Sequence, residues 1–165
     1  MSGKVILAAL MIVSNASLAS SQEQMRVSIF LNPYKWILGL GNIGFEVQYN
    51  SNCSVCVFAE YAAVRTAYLN TIRHPDLIAT AALRYYLSPG DPDAAGSYAG
   101  VSSSYFYRKS GESDKLARDV AFGIEAGYKF LMGDSFYLLP RGLLNYTIRG
   151  ESILPGAEVS AGILP

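Results

Sequence analysis

Apolar and polar residues alternate along FGIEAGYKFLMGDSFYLLPRG, from Phe122 to Gly142, and this alternation constrains the fold more than any other feature of the sequence. Up to Phe130, every even-numbered position is apolar or aromatic, whereas the odd-numbered positions between them are glycine or charged, as at Glu125 and Lys129. A period of two places successive side chains on opposite faces of a β-strand. The stretch therefore predicts a hairpin whose strands have one apolar face and one face of small residues and lone charges.

Similar segments recur along the chain, separated by clusters of Gly, Pro, Asn, Asp and Ser, which are the residues that turns prefer. The predicted strands are Arg26–Asn32, Asn42–Tyr49, Cys53–Arg65, Asp76–Leu87, Ser97–Arg108, Asp119–Leu131, Phe136–Ile148 and Ala157–Leu164. Eight short strands with regular turn signals indicate an all-β sandwich or barrel. One domain is expected for a chain of 165 residues.

The N-terminus has the composition of an export signal. Lys4 precedes the apolar run VILAALMIV, and the small residues of SNASLAS follow it. This order is that of a secretory signal peptide. We expect cleavage after Ala19, so that residues 1–19 are the signal peptide and residues 20–165 form the folded domain.

The alternation does not by itself say which face lies inside. A soluble barrel buries its apolar face, whereas an outer-membrane barrel turns that face to lipid and keeps polar side chains in the lumen. The polar faces here are rich in glycine, alanine and serine, which suit the narrow interior of an eight-stranded barrel. The aromatic residues cluster near strand ends, as interfacial girdles do. They are Tyr49, Tyr85, Tyr98, Tyr128, Phe130 and Phe136 near one set of turns, and Trp36, Tyr61, Tyr105, Tyr107 and Tyr146 near the other.

The lengths of the connections favour the same interpretation. The connections after even-numbered strands are NSN, a nine-residue turn and MGDS, whereas those after odd-numbered strands have roughly eight to ten residues, and outer-membrane barrels alternate in this way. The sequence therefore predicts an eight-stranded antiparallel up-and-down transmembrane β-barrel in a bacterial outer membrane, with both termini in the periplasm.

The lumen of such a barrel would hold lone charges from several strands. Assigning the small-residue faces inward places four acids and five bases there. They are Glu46, Glu60, Arg84, Arg108, Glu125, Lys129, Arg141, Arg149 and Glu158. An unpaired charge in a narrow interior is costly, so the near-balance predicts ion pairs. This polar network could act as a gate or as a plug that fixes the barrel shape; eight strands leave little room for a channel, which favours the plug.

Strand parity predicts one particular pair, Glu125 with Arg141. Both must point inward, so the tight turn between their strands has an odd number of residues. A turn over residues 132–134 sets them directly opposite, and one over residues 133–135 sets them diagonal. Either arrangement is within salt-bridge reach.

No residue pattern indicates catalysis, a metal site or a cofactor. Cys53 and Cys56 point to opposite faces of an extended strand, so we interpret them as small apolar fillers. His74 is the single histidine, and it has no serine two residues on to form the pair that a lipid deacylase needs. The chain has 13 basic and 13 acidic residues, which gives no electrostatic reason to expect nucleic acid.

Several segments together resemble a known family. They are VSIFLNPYKWILGLGNIGFEVQY, ALRYYLSPG with GSYAGVSSSYFYR, and GIEAGYKFLMGDSFYLLPRGLLNY. They resemble a family of small bacterial outer-membrane β-barrel proteins, catalogued as a domain of unknown function, with the eight-stranded architecture of OmpA and OmpX. The resemblance implies this fold and a location in the outer membrane. The expected partners are outer-membrane lipids and lipopolysaccharide, and the barrel-insertion machinery during assembly. It implies no chemistry, and the terminal aromatic residue usual in such barrels is replaced here by the ending SAGILP.

These features favour a non-enzymatic membrane scaffold whose outer loops contact partners or lipopolysaccharide. The loops TAYLNTIRHP and KSGESDKLAR are the candidate contact surfaces, because loops on a rigid scaffold carry function. The alternatives are a narrow conduit for small solutes, a lipid-modifying outer-membrane enzyme and a soluble exported ligand-binding barrel.

Overall fold

The computed structural model describes residues 26–62, 75–87, 95–108 and 117–164, which form eight strands and one short helix. The elements are β1 (Arg26–Leu31), α1 (Pro33–Ile37), β2 (Leu40–Gln48), β3 (Cys53–Ala62), β4 (Leu77–Tyr86), β5 (Gly96–Arg108), β6 (Ala117–Met132), β7 (Phe136–Thr147) and β8 (Ser152–Ile163). The predicted signal peptide and His74 lie outside the described residues. Within these ranges no helix is long and apolar enough to cross a membrane.

The strands close into one antiparallel barrel in which each strand pairs with its neighbours in sequence and β8 returns to β1. The prediction of an eight-stranded up-and-down barrel is therefore confirmed. The strand pairing that closes the barrel, between β1 and β8, is the shortest: three residues of each strand pair, from Ile29 with Ile163 to Leu31 with Ala161.

The two ends of the barrel differ in their connections. At the turn end, residues 49–52 join β2 to β3 and residues 133–135 join β6 to β7. Gly133 has a φ of +75°, a left-handed conformation that glycine adopts without steric cost. At the opposite end, which we call the loop end, residues 32–39 join β1 to β2 and residues 148–151 join β7 to β8.

The prediction of a long connection between β7 and β8 is wrong. β8 begins at Ser152 rather than Ala157, and Thr147 pairs with Ser152 across a four-residue turn. Asp119 of β6 stabilises this turn, because its carboxylate accepts the backbone N–H groups of Arg149 at 3.0 Å and Gly150 at 3.2 Å. These bonds hold the chain back to the barrel, so the strand continues where a loop was expected.

The long connection predicted after β1 contains the helix α1, which the sequence analysis did not predict. Asn32 caps it by accepting a hydrogen bond from the Lys35 N–H at 3.3 Å, and Pro33 occupies the first helical position, where its missing N–H costs nothing. The backbone N–H of Asn32 donates to Asn42 Oδ1 at 2.8 Å. These contacts anchor the helix to the start of β2.

The barrel buries polar side chains and exposes apolar ones. Among the described residues, sixteen buried residues are polar or charged and nine are hydrophobic, whereas thirty large hydrophobic side chains are exposed. In β6, for example, Glu125 and Lys129 are buried while Phe122 and Ile124 are exposed. A soluble barrel that buries its apolar face would show the opposite distribution.

One aromatic residue assigned to a girdle lies inside instead. Tyr98 is buried in the lumen, where its ring packs on Tyr86 with centroids 5.5 Å apart. Even-numbered residues of β5 face inward, so its position in the strand decides this orientation. Tyr137 is likewise buried, directly opposite Gly162; a Cβ on that glycine would lie 2.1 Å from the Tyr137 ring. The lumen near the turn end is thus filled by tyrosine rings.

Candidate functional site

Eight charged side chains form a continuous series of ion pairs in the lumen, in which acids and bases alternate. We call this series the ion-pair chain. From the loop end its members are Glu60, Lys35, Glu158, Arg141, Glu125, Arg84, Glu46 and Lys129. Because acids and bases alternate, each charge has an opposite charge beside it, and the four acids and four bases make the series electrically neutral.

The loop-end half of the ion-pair chain is centred on a lysine from the helix α1. Lys35 Nζ lies 2.5 Å from Glu60 Oε2 on β3 and also contacts Glu158 Oε1 on β8. Glu158 Oε2 in turn accepts hydrogen bonds from Arg141 Nη2 at 2.6 Å and Nε at 3.1 Å. Lys35 thereby ties α1 to two strands of the barrel.

The turn-end half passes through two arginines that each bridge two carboxylates. Arg141 Nη1 lies 3.0 Å from Glu125 Oε2, and Glu125 Oε1 lies 2.5 Å from Arg84 Nε. Arg84 Nη1 continues to Glu46 Oε1 at 3.4 Å, and Glu46 Oε2 meets Lys129 Nζ at 3.2 Å. The planar guanidinium fork suits such bridging, whereas Lys129 ends the series on one carboxylate.

Neutral groups also surround several of the buried charges. Glu46 Oε1 accepts hydrogen bonds from Ser54 Oγ and Tyr86 Oη, both at 2.7 Å. Each of the three cations on the strands also lies over an aromatic ring, an arrangement that stabilises a desolvated cation. The distances to the ring centroids are 4.8 Å for Arg84 over Tyr98, 4.5 Å for Lys129 over Tyr137 and 4.5 Å for Arg141 over Phe58.

Seven of the nine residues predicted to line the lumen lie in the ion-pair chain, and two do not. Arg149 is exposed, and its Nη1 donates to the Arg118 carbonyl at 3.2 Å. β7 ends at Thr147, so Arg149 lies in the following turn, where strand parity no longer sets its direction. Arg108 is the last residue of β5 and is half-buried at the loop end, outside the series.

The sequence-based assignment missed Lys35, because a residue in a connection has no strand parity. The available signal was the Asn-Pro step before it, which indicates a helix start. Leaving out these two arginines, which are not in the series, and adding Lys35 turns the expected excess of one base into a balanced set of four acids and four bases.

Glu125 and Arg141 meet in the diagonal arrangement. The turn comprises residues 133–135, and Met132 pairs with Phe136. Arg141 is therefore opposite Gly127, two residues from Glu125 along β6. A Cβ at Gly127 would lie 2.7 Å from Tyr98 Oη and 2.5 Å from the Pro140 carbonyl oxygen, so the glycine makes room for the tyrosine that packs beside this pair.

The charge state of Lys35 follows from its two neighbours. Burial alone would lower the pKa of Lys35, but the carboxylates of Glu158 and Glu60 outweigh this effect and hold the pKa above its ordinary value of 10.5. Lys35 is therefore charged at neutral pH, as its place between two acids requires.

The other polar candidates are not arranged as a metal or disulfide site. Within the described residues no group of three or more His, Cys, Asp or Glu side chains could hold a metal ion. Cys53 and Cys56 are both free thiols, with Cys56 buried and Cys53 half-buried.

The ion-pair chain fills the lumen and connects six strands and α1.

Comparison with known proteins gives a family and a fold. Residues 5–139 match the model of the family described as "Protein of unknown function (DUF3575)". The crystal structure of the N-terminal β-barrel domain of Pseudomonas aeruginosa OprF is similar to this chain with a TM-score of 0.58 and 12% sequence identity, covering 88% of this chain and 100% of that one. At this identity the similarity is one of fold. A comparison with curated proteins gave no match.

Proposed function

This chain belongs to the DUF3575 family of proteins of unknown function, and we propose that it is a non-enzymatic scaffold that spans the bacterial outer membrane as a β-barrel. Residues 1–19 would direct export and be removed. The outer loops would contact lipopolysaccharide or protein partners, and the barrel-insertion machinery would assemble the protein.

The observation that carries this proposal is the apolar outer face of the barrel. Outward-facing side chains on neighbouring strands, such as Phe122, Ile124 and Leu144, are about half exposed, at 56%, 59% and 45%. Water would surround such a surface at a large cost in free energy, because each exposed Å² of apolar area costs about 25 cal/mol. A bilayer removes that cost, and outer-membrane barrels present this kind of belt to lipid.

The lumen supports a structural role rather than a conducting one. The ion-pair chain and the tyrosine rings occupy the interior, and Arg84, Glu125 and Lys129 are each at most 3% exposed. An ion crossing the barrel would have to break several of these pairs. We therefore expect the ion-pair chain to act as a plug that fixes the shape of the barrel, and purified protein in planar bilayers to show no steady conductance.

Contact with partners would take place at the loop end. β1, β3 and β5 run in the same direction and all end at the loop end. The polar segments 66–75 and 109–118 come after β3 and β5 in the sequence. Most of these two segments lies outside the described residues. Both termini of the barrel lie at the opposite end, which would be the periplasmic side.

Cell fractionation with gel migration tests the proposal. We expect the full chain to be recovered in the outer-membrane fraction, and its migration to change when the sample is boiled, because a folded barrel resists the detergent until heated. Recovery in the soluble periplasmic fraction, with the same migration before and after boiling, would contradict the membrane location.

A further inference from the structure

The outward face of the barrel carries one charged side chain among the residues that the structure describes. Outward positions alternate with the lumen positions along each strand, and they hold apolar, aromatic or small residues with a single exception, Arg118 of β6. Arg118 is exposed and lies near the loop end, four residues before Phe122. A surface that faces water usually carries many charges of both signs. A lone arginine on an apolar face therefore points to a specific contact.

Arg118 lies at the upper edge of an aromatic girdle. It pairs with Tyr107 of β5, and Tyr105 faces outward two positions further from the loop end. Tyr105 is 38% exposed, and Tyr146 of the neighbouring strand β7 is 49% exposed. Tyrosine side chains of this kind sit at the level of the lipid headgroups. In a barrel that spans a bilayer, Arg118 would therefore reach the layer in which lipid phosphates lie.

A second arginine is held at the same point of the rim. Arg149 lies in the turn between β7 and β8, and its Nη1 donates to the carbonyl oxygen of Arg118 at 3.2 Å. The Asp119 carboxylate fixes the backbone of this turn on β6 by accepting the Arg149 N–H at 3.0 Å. The Arg149 guanidinium is thus placed at the base of the Arg118 side chain.

No carboxylate neutralises these two arginines within the described part of the chain. The oxygens of Asp119 accept the backbone N–H groups of Val120, Arg149 and Gly150, at 2.8, 3.0 and 3.2 Å. Neither arginine has an ion pair among the described residues, in contrast to every cation of the ion-pair chain. Each guanidinium has five N–H donors, and the hydrogen bonds described for the pair use one of the ten.

We propose that Arg118 and Arg149 bind a phosphate of lipid A, the membrane anchor of lipopolysaccharide, with the acyl chains of the lipid against the apolar face below them. Arginine forks suit phosphate oxygens. The phosphate monoesters of lipid A carry close to two negative charges, as phosphorylated side chains do, and so match two uncompensated cations better than a phospholipid diester. The inference rests on the proposed function, because the loop end must face the outer leaflet. It assigns the contact with lipopolysaccharide to the strand rim rather than to the outer loops.

Native mass spectrometry of the full barrel in dodecyl maltoside tests the site. The probes are diphosphoryl lipid A and the same lipid after enzymatic removal of both phosphates, so that only the phosphates differ. We expect one diphosphoryl lipid A per chain to remain bound at collision energies that remove the dephosphorylated lipid. Dioleoyl phosphatidylglycerol, which carries one negative charge on a phosphodiester, should be lost more readily than diphosphoryl lipid A.

Substitutions locate the contact on the barrel. Arg118→Gln and Arg149→Gln should each weaken the retention of diphosphoryl lipid A about tenfold, because each removes charge-assisted hydrogen bonds to the phosphate. Arg118→Lys keeps the charge and should lose less than Arg118→Gln. Arg26→Gln is the matched control: it removes the same charge at the start of β1, at the turn end, and should retain the lipid like the unchanged protein.

Three outcomes would overturn the assignment. A folded barrel that retains both forms of lipid A equally has no phosphate site, and equal losses for Arg118→Gln and Arg26→Gln would mean a general effect of net charge. Phosphatidylglycerol held as firmly as diphosphoryl lipid A would contradict the choice of lipid A. Gel migration of the same samples separates the two proposals, because a heat-modifiable barrel without this preference contradicts only the phosphate site, whereas a protein that is soluble without detergent contradicts the membrane scaffold.

Discussion

Arg141 Nη1 lies 3.0 Å from Glu125 Oε2 although the two residues are not opposite each other in the β6–β7 ladder. The guanidinium reaches diagonally past Gly127, and both side chains are almost fully buried. Removing either side chain would leave the other buried with one opposite charge fewer, which costs free energy in a poorly hydrated interior.

A double-mutant cycle on this pair measures whether the contact contributes to the free energy of unfolding. Glu125→Gln and Arg141→Met should each lower the free energy of unfolding by about 3 kcal/mol, and their coupling should be about 1 kcal/mol or more. Urea unfolding in detergent micelles measures all four proteins. Strictly additive effects would mean that the two side chains do not interact.

Arg84 should be the most sensitive member of the ion-pair chain. It contacts both Glu46 and Glu125, so Arg84→Met removes one cation from each of two buried carboxylates and should destabilise the barrel by about 3–5 kcal/mol. Arg149→Met is the matched control, since Arg149 is exposed, and we expect a change within about 0.5 kcal/mol. Similar losses for the two variants would argue against the lumen position of Arg84.

Gly162 should not tolerate a methyl group, because a Cβ there would overlap the Tyr137 ring. Tyr137 is 1% exposed and has little room to move, so Gly162→Ala should cost about 1–3 kcal/mol of unfolding free energy through overpacking. Gly142→Ala provides the control, since a Cβ at that position meets nothing within 4 Å. The midpoints of urea unfolding should fall only for the Gly162 variant; equal midpoints would show that the ring is mobile.

Lys35 should stabilise the barrel in a pH-dependent way. Its folded-state pKa is raised above 10.5, so its contribution is fully present below pH 10.5 and is lost as the pH rises through the folded-state value. The difference in unfolding free energy between the unchanged protein and Lys35→Met should therefore be constant between neutral pH and pH 10 and shrink at higher pH. Tyrosine titration affects both proteins and cancels in the difference. A difference that persists unchanged in strong alkali would contradict the double ion pair.

Strand parity predicted most of the fold and much of the candidate site, because a period of two fixes the face of every residue once one face is assigned. Glu46, Glu125 and Lys129 could be placed in the lumen for this reason alone. The rule fails where a strand ends: Lys35 sits on a helix and Arg149 in a turn, and neither has a face in the sheet. The turn before β8 is held by a hydrogen bond from the Arg149 N–H to the carboxylate of Asp119 on β6. These residues are far apart in sequence, so no local pattern predicts the contact.

Tyrosine orientation shows a second limit of sequence-based prediction. A tyrosine suits both an interfacial girdle and a lumen that offers its hydroxyl a partner. Tyr85 and Tyr86 are adjacent in sequence, yet Tyr85 is 53% exposed and Tyr86 is fully buried with its hydroxyl on Glu46. Composition and clustering cannot separate these two roles, whereas the position of each residue in its strand does.

The outward face of the barrel should meet lipid, and the collision rates of a spin label measure this most directly. A nitroxide at Ile124→Cys, in a Cys53→Ser background that keeps the buried Cys56, would be reconstituted into vesicles of outer-membrane phospholipids. We expect oxygen, which concentrates in the bilayer, to relax this label more strongly than a water-soluble nickel complex does, and a label at Ser135→Cys in the β6–β7 turn to show the reverse. Relaxation dominated by the nickel complex at position 124 would contradict the contact of this face with lipid.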